Sequence, residues 1–251
     1  MSTLLLKLIA CITMLADHIG WFSFLGYPQL GNVLRAFGRI SFPIFAYLIA
    51  FGYRKTHNKY LYLLRLIVVG FISELPYNYC FLNKLSFKFN NVYFTLALGL
   101  ISIIVYEKII SQPKTQKLAF IPPALLAISA SMLDTDYGTY GVILIFMFHL
   151  LKDQKISVLV LCTLFSCRSI LDDFISQLIK SPSLQSVQIA TWSIMQLFAA
   201  FAAIPLLCCD GTRGWTPKSQ TAQKLFKYSF YLFYPLHLLV IGIIVRHLIA
   251  Q

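Results

Sequence analysis

The sequence predicts an all-α fold, a polytopic membrane helical bundle with about nine transmembrane helices, within a range of eight to ten. Of its 251 residues, 58% are hydrophobic and only 12% are charged, and the mean hydropathy is +0.73. Soluble domains carry about 25% charged residues, so this chain has too few ionisable side chains to cover a surface that faces water. We therefore expect a single integral-membrane domain over residues 1–251.

Nine apolar runs approach the roughly 20 residues that a helical membrane span needs. The candidate spans are residues 4–25, 40–55, 60–82, 91–110, 117–133, 137–151, 156–174, 187–208 and 225–249. The sixth run is short and has Gly138 and Gly141 in its first turns, so it is expected to be tilted or re-entrant. The first run lacks a basic start and a small-residue cleavage site, and it is expected to remain as a membrane span.

The basic residues predict the orientation, because short cytoplasmic loops carry the excess of Lys and Arg. With the N-terminus in the cytoplasm, 14 of the 21 Lys and Arg residues fall on the inner side and six of the nine acidic residues on the outer side. The basic residues are scattered singly or in pairs between apolar runs, a pattern that does not fit a nucleic-acid partner. The six cysteines form no CxxC pair and no Cys/His metal spacing, so no metal is expected.

Unusual polar residues gather toward the predicted outer side. Ionisable groups within membrane spans are costly and face a cavity or a partner, which makes them functional candidates. The strongest candidates lie inside apolar runs and are Asp17, His18, Arg39, Glu74 and His237. Further polar residues at this depth are Asn78, Asn91, Asp136, Tyr137, Arg168 and Gln196.

The first predicted helix places Lys7, Asp17 and His18 along one face. Adjacent residues such as Asp17 and His18 do not face each other on a helix, so their partners are expected on other spans, first of all Arg39 and Glu74. His18 can exchange a proton near neutral pH. This chemistry suits the deprotonation of an amine or hydroxyl that attacks an activated carbonyl, and it equally suits a proton-coupled transporter or flippase.

Six blocks of the sequence, in order and spacing, resemble the TraX family, the F-pilin acetylation proteins. The blocks are KLIACITMLADHI (7–19), GRISFPIFA (38–46), Arg65 with ELP (74–76), NVYFTL (91–96), DYGTYG (136–141) and FYLFYPLHL (230–238). Each block alone is a weak signal, whereas six in this order are specific. The resemblance covers essentially the whole chain.

The resemblance implies a multi-pass acetyltransferase of the bacterial inner (cytoplasmic) membrane that uses acetyl-CoA as co-substrate. In this family the acceptor is the N-terminal amine of a pilin subunit. Kinship with other transmembrane acyltransferases, in which cytoplasmic acyl-CoA donates to an acceptor in or beyond the membrane, also allows the hydroxyl of an envelope glycan. The transporter or flippase remains the alternative.

The resemblance also implies roles for residues within the matched blocks. His18 would act as the catalytic base, while Asp17, Arg39 and Glu74 would shape the site and polarise the thioester carbonyl. The expected acceptor-binding residues are Asp136, Tyr137, His237, Asn91 and Tyr234. Basic residues at the inner side that could hold the phosphates of CoA are Lys7, Arg54, Lys55 and Arg65.

Overall fold

The computed structural model describes residues 1–22, 26–82, 88–152, 155–180 and 191–249, and every regular element within those ranges is helical. The predicted all-α class is therefore confirmed. Residues 23–25 of the first predicted span and residues 187–190 of the eighth lie outside the described residues.

The described part of the chain forms eleven α-helices and two short 3-10 helices. The α-helices are α1 (Thr3–Phe22), α2 (Pro28–Gly38), α3 (Ser41–Lys55), α4 (Lys59–Phe81), α5 (Val92–Ile110), α6 (Ile121–Met132), α7 (Gly138–Leu150), α8 (Lys155–Lys180), α9 (Thr191–Gln196), α10 (Ala203–Leu207) and α11 (Gln220–Ile249). The 3-10 helices are Gln116–Leu118 and Leu197–Ala202.

Five helical stretches among the described residues are long and apolar enough to cross a membrane, judged by length and composition. They are Thr3–Phe22, Pro28–Lys55, Lys59–Phe81, Val92–Ile110 and Gln220–Leu248. Two further apolar helices, Gly138–Leu150 and Ser193–Leu207, are shorter. The chain is thus a multi-pass membrane protein, in agreement with the sequence-based fold class.

Helix α2 was not predicted from the sequence and extends the second predicted span, 40–55, back to Pro28. Pro28 suits the first helical turn because its missing N–H would have no intrahelical partner there. The helix is amphipathic, with Gly31 and Arg35 buried while Leu30 and Phe37 are exposed. Its apolar residues recur at helical spacing over only 11 residues, so they do not form an apolar run as long as a span.

Helices α6 and α7 contain 12 and 13 residues. At 1.5 Å per residue these lengths correspond to about 18–20 Å, less than the roughly 30 Å hydrocarbon core of a bilayer. The fifth predicted span, 117–133, is thus divided into a 3-10 turn and a short helix, and the sixth is short as expected. Gly138 begins α7 with a φ of +48°, a left-handed conformation that favours glycine.

The chain divides into two compact units, each built from two segments. Unit 1 contains Met1–Phe45 and Asp153–Gly214, and unit 2 contains Ala46–Lys152 and Trp215–Gln251. In unit 1, α2 packs against α1, α9 and the second 3-10 helix, while α8 packs against α9, this 3-10 helix and α10. In unit 2, α4 packs against α5 and α11, and α5, α6 and α7 pack together.

Candidate functional site

The predicted site residues in unit 1 are centred on an ion pair between Asp17 and Arg39. Arg39 Nη2 donates a hydrogen bond to Asp17 Oδ1. The Arg39 side chain is only 6% exposed and that of Asp17 is 19% exposed. Arg39 Nε also donates to the carbonyl oxygen of Arg35, at 3.3 Å, which fixes the guanidinium at the end of α2. The expectation that Arg39 is a partner of Asp17 is confirmed.

Glycines allow α1 and α2 to approach closely enough for this pair to form. A Cβ atom added to Gly38 would lie 2.7 Å from the Cα of Asp17, closer than real side chains pack. A Cβ added to Gly20 of α1 would lie 2.8 Å from the carbonyl oxygen of Gly31 in α2. The helix crossing and the ion pair therefore depend on the same small residues.

His18 lies one residue beyond Asp17, at the end of α1, and is half-buried. Successive residues of an α-helix are about 100° apart around its axis, so His18 points in a different direction from the carboxylate that binds Arg39. Farther along α1, the side chains of Ala10, Cys11 and Met14 are buried, whereas Lys7 is exposed. Lys7 is about 15 Å from Asp17 along the helix axis.

A second cation of α2 lies beside this pair. Arg35 is 8% exposed, and its guanidinium carbon lies 4.5 Å from the centre of the Trp21 ring of α1. Cations are attracted to the face of an indole, most strongly where water is excluded. Arg35 was not predicted as a site residue, because its stacking on Trp21 depends on helix α2, which was not predicted either.

In unit 2, Glu74 is completely buried and accepts three N–H hydrogen bonds. Its Oε1 accepts from Asn78 Nδ2 at 3.1 Å and from the backbone N–H of Lys88 at 2.8 Å. Its Oε2 accepts from Asn91 Nδ2 at 2.6 Å. Such bonds stabilise a carboxylate and hold it in place. Glu74 is therefore better suited to holding its neighbours in position than to reacting directly with a substrate.

Asn91 links α4 to the beginning of α5 and is also completely buried. Its side-chain amide donates to the carbonyl oxygen of Gly70 at 2.9 Å in addition to Glu74. Its side-chain oxygen accepts from the backbone N–H of Tyr93 and caps α5. Both amide hydrogens are therefore used within unit 2, which gives Asn91 an evident structural role beside its predicted role in acceptor binding.

Aromatic residues and a carboxylate surround the Glu74 network. Asp136, which is exposed, interacts electrostatically with the hydroxyl groups of Tyr77 and Tyr234. Tyr234 is 2% exposed and makes an edge contact with the ring of Tyr93, with the ring centres 5.3 Å apart. Of the predicted acceptor residues, Asp136 and Tyr234 therefore lie close together.

His237 and Tyr137 complete the predicted acceptor set. His237 Nδ1 lies 2.6 Å from the carbonyl oxygen of Phe233, so Nδ1 carries the proton in the neutral ring and Nε2 carries the lone pair. The His237 ring stacks on Phe233 and makes an edge contact with Tyr234. Tyr137 is anchored by its backbone N–H, which donates to Thr95 Oγ1 at 3.4 Å.

A proline explains one contact of α11 in this region. Pro235 lacks an N–H, which leaves the carbonyl oxygen of Tyr231, four residues earlier, without its usual helical donor. The hydroxyl of Tyr93 donates to that carbonyl oxygen at 3.3 Å. Tyr231 and Pro235 of the FYLFYPLHL block thus help join α11 to α5.

Three of the basic residues predicted to bind CoA lie in unit 2 and have different surroundings. Arg54 Nη1 donates to the carbonyl oxygen of Phe148 at 3.4 Å, and Lys55 is exposed. Arg65 is half-buried and hydrogen-bonds the side chain of Tyr231. Arg54 and Lys55 are neighbours at the end of α3, so these two are the better placed to meet a ligand phosphate.

An additional acid–base pair near Arg54 was not predicted from the sequence. His149 Nε2 lies 2.6 Å from Glu107 Oε1, and the Tyr53 ring makes an edge contact with the His149 ring. His149 is 7% exposed. The pair links the ends of α5 and α7, which gives His149 a structural role.

Within the described ranges, no three His, Cys, Asp or Glu side chains are grouped so that they could hold a metal ion. Asp17, His18 and Arg39 belong to unit 1 together with Lys7, while Glu74, Asn91, Asp136, Tyr137, Tyr234 and His237 belong to unit 2.

Comparison with known proteins gives two matches that extend over nearly the whole chain. The chain is 26% identical over 247 residues to a "Probable fimbrial assembly protein FimC, serogroup H1" of Dichelobacter nodosus, covering 94% of this chain and 93% of that protein. No solved structure matches the chain. The family model of the TraX protein matches residues 2–245. The chain therefore belongs to the TraX protein family.

Proposed function

We propose that this protein is an acetyltransferase of the bacterial inner membrane that uses acetyl-CoA from the cytoplasm. The acceptor is the amine of a pilin-like peptide or the hydroxyl of an envelope glycan, in or beyond the membrane. The observation that carries the proposal is the Asp17–Arg39 ion pair beside His18. These residues lie in a chain matched to the TraX family over residues 2–245.

In the proposed reaction, His18 accepts a proton from the amine or hydroxyl of the acceptor as that group attacks the carbonyl carbon of the thioester. The bond from the carbonyl carbon to sulfur then breaks, and the departing sulfur of CoA receives this proton from His18. Arg39, held in place by Asp17, polarises the thioester carbonyl.

The residues of unit 2 are proposed to bind and position the acceptor. Asp136 is exposed, whereas Tyr234 is buried, so a ligand could meet the carboxylate first and the aromatic residues deeper in the unit. Glu74 has a positioning role because three N–H groups already bind its carboxylate. The name of the Dichelobacter nodosus relative refers to fimbrial assembly, which supports a pilin-like peptide as the first acceptor to test.

The donor is proposed to enter from the cytoplasmic side, where the excess of Lys and Arg is expected. Arg54 and Lys55 would bind the phosphates of CoA through charge-assisted hydrogen bonds. Lys7 is exposed and can make the same type of contact, whereas Arg65 would first have to leave the side chain of Tyr231.

The test is acetyl transfer by the purified protein in lipid nanodiscs, with labelled acetyl-CoA and either a pilin-like peptide or a glycan acceptor. We expect His18→Ala to reduce transfer on the order of 100-fold or more, the usual effect of losing a general base. The matched control is His57→Ala, at an exposed histidine outside the predicted site, which should transfer acetyl at the normal rate. Equal transfer by wild-type protein and His18→Ala would contradict the role of His18, and substrate movement without consumption of acetyl-CoA would support a transporter or flippase instead.

A further inference from the structure

We propose that Ser193 and Gln196 of α9 are catalytic residues that donate hydrogen bonds to the oxyanion of the acetyl group during its transfer. This inference rests on the proposed function and adds two residues that were not assigned to the site from the sequence. It concerns unit 1, which also contains Asp17, His18 and Arg39.

The first observation is that both side chains are buried without hydrogen-bond partners. Ser193 is 1% exposed and Gln196 is 0% exposed. Within the described part of the chain, Ser193 Oγ and both polar atoms of the Gln196 amide, Nε2 and Oε1, have no partner. Buried polar groups are nearly always hydrogen-bonded, so two unpartnered side chains on one short helix need an explanation.

Other buried serines of unit 1 provide a contrast. The hydroxyl of Ser41 donates to the carbonyl oxygen of Ala10 at 2.9 Å. The hydroxyl of Ser166 donates to the carbonyl oxygen of Cys162 at 2.6 Å. Gln196 directly precedes the 3-10 helix Leu197–Ala202 but makes no side-chain capping bond to it. Burial within this unit therefore does not by itself leave a hydroxyl without a partner.

The second observation is the position of α9. Ser193 and Gln196 are three residues apart, which places them on the same side of the helix, one above the other. Helix α9 packs against α2, and α2 packs against α1, which carries Asp17 and His18. The two unpartnered side chains thus belong to the same small group of helices as the proposed base and its neighbouring ion pair.

Acetyl transfer explains why donors at this position have no partner before the reaction. When the acceptor attacks, the carbonyl π electrons move onto oxygen, and negative charge develops there only in the transition state. The Nε2–H of Gln196 and the Oγ–H of Ser193 would donate to this oxygen. The C=O bond then re-forms, the C–S bond breaks, and the CoA sulfur receives the proton held by His18. Donors that are buried and fixed beforehand are the most effective for this purpose.

The helix is irregular directly after Gln196, which suits access for a substrate. The chain changes from α-helix at Gln196 to 3-10 helix at Leu197, and it returns to α-helix at Ala203. Pro205, which has no N–H to donate, follows shortly. A 3-10 segment within a helix has weaker hydrogen-bond geometry and often marks a hinge. Movement at this segment would expose the Gln196 amide to the thioester.

The test compares Gln196→Met and Ser193→Ala with the wild-type protein in the acetyl-transfer assay. Because the donors act in the transition state, we expect kcat to fall about 100-fold in Gln196→Met, with little change in KM for acetyl-CoA or acceptor. The melting temperature of Gln196→Met should stay the same or rise, since an unpartnered amide is replaced by an apolar side chain of similar length.

Two further variants separate catalysis from structure. Ser193→Thr keeps the hydroxyl and should recover most of the kcat lost in Ser193→Ala. Ser166→Ala removes a buried hydroxyl that already donates to the carbonyl oxygen of Cys162. This variant should therefore keep the wild-type kcat. Recovery in Ser193→Thr together with an unaffected Ser166→Ala supports the proposal.

Three results would overturn the proposal. If Gln196→Met keeps the wild-type kcat, or if its loss of activity is matched by a lower melting temperature, the amide has no catalytic role. If only KM rises, the amide recognises a substrate instead of the transition state. An active wild-type protein with unaffected variants refutes this inference alone, whereas a wild-type protein that transfers no acetyl group refutes both this inference and the proposed function.

Discussion

A charged arginine buried in a membrane protein needs an anionic or hydrogen-bonding partner. In this protein, Asp17 forms an ion pair with Arg39. Sequence reasoning predicted this partner because both residues interrupt apolar runs at the same expected depth. It could not predict two of the three hydrogen bonds of Glu74, because one donor is the backbone N–H of Lys88 and the other, Asn91, depends on how α4 aligns with the segment before α5. A charge pair follows from residue types, whereas a network that includes backbone groups follows from geometry.

The first prediction concerns Asp17→Asn, which removes the carboxylate that binds the buried Arg39 guanidinium. Removing one partner of a buried ion pair costs about 3–5 kcal/mol, and the partial exposure of Asp17 reduces this to about 2–3 kcal/mol of unfolding free energy. The double variant Asp17→Leu, Arg39→Met should recover stability but not acetyl transfer. Denaturation followed by fluorescence in detergent measures the stability, and an Asp17→Asn protein as stable as the wild type would contradict the prediction.

The second prediction concerns pH and the loop after α10. The backbone N–H and the hydroxyl of Thr212 hydrogen-bond the Asp210 carboxylate, and with the N-terminal ammonium they lower the pKa of Asp210 from 3.8 to about 2. A lowered pKa in the folded state stabilises the fold above pH 4, and this contribution is lost as the pH falls toward 2. Asp210→Asn should therefore melt at a lower temperature than the wild type at neutral pH, and the difference should disappear near pH 2. A difference that does not depend on pH would contradict this assignment.

At the scale of helices, the sequence predicted the ends of α3, α4, α5 and α7 to within one or two residues, because each is bounded by polar or loop-forming residues. It missed α2, whose 11 residues are too few to form an apolar run that could span the membrane. It also joined the end of the 3-10 turn Gln116–Leu118 and α6 into one span, because residues 118–128 form a continuous apolar run. Hydropathy identifies length and composition but does not detect a change in helix type within a run.

The third prediction tests the contact between α1 and α2. Gly38→Ala places a methyl group 2.7 Å from the Asp17 Cα, so the helices must separate and the Asp17–Arg39 pair must lengthen. Overpacking of this kind costs about 1–3 kcal/mol of stability, and we expect acetyl transfer to fall with it. Gly26→Ala is the control, since an added Cβ there meets nothing within 4 Å. Melting temperatures and transfer rates measure both effects, and equal behaviour of the two variants would contradict the tight crossing.

At the scale of the whole molecule, the low fraction of charged residues predicted a membrane protein, and the long apolar helices agree with it. Sequence reasoning placed the residues on one side of the membrane or the other but could not show that the chain forms two compact units. Each unit combines segments far apart in the sequence, such as Met1–Phe45 with Asp153–Gly214. Such pairing depends on which apolar faces pack together, and nearly all faces of these helices are apolar.

The central claim is that acetyl groups from cytoplasmic acetyl-CoA reach an acceptor in or beyond the membrane through the His18 site. The most direct measurement uses inside-out membrane vesicles with labelled acetyl-CoA outside and a peptide with a free N-terminal amine, or a glycan, sealed inside. We predict labelling of the sealed acceptor by the wild-type protein and loss of that labelling in His18→Ala. Labelling that survives in His18→Ala, or that reaches only acceptors added to the outer solution, would contradict the claim.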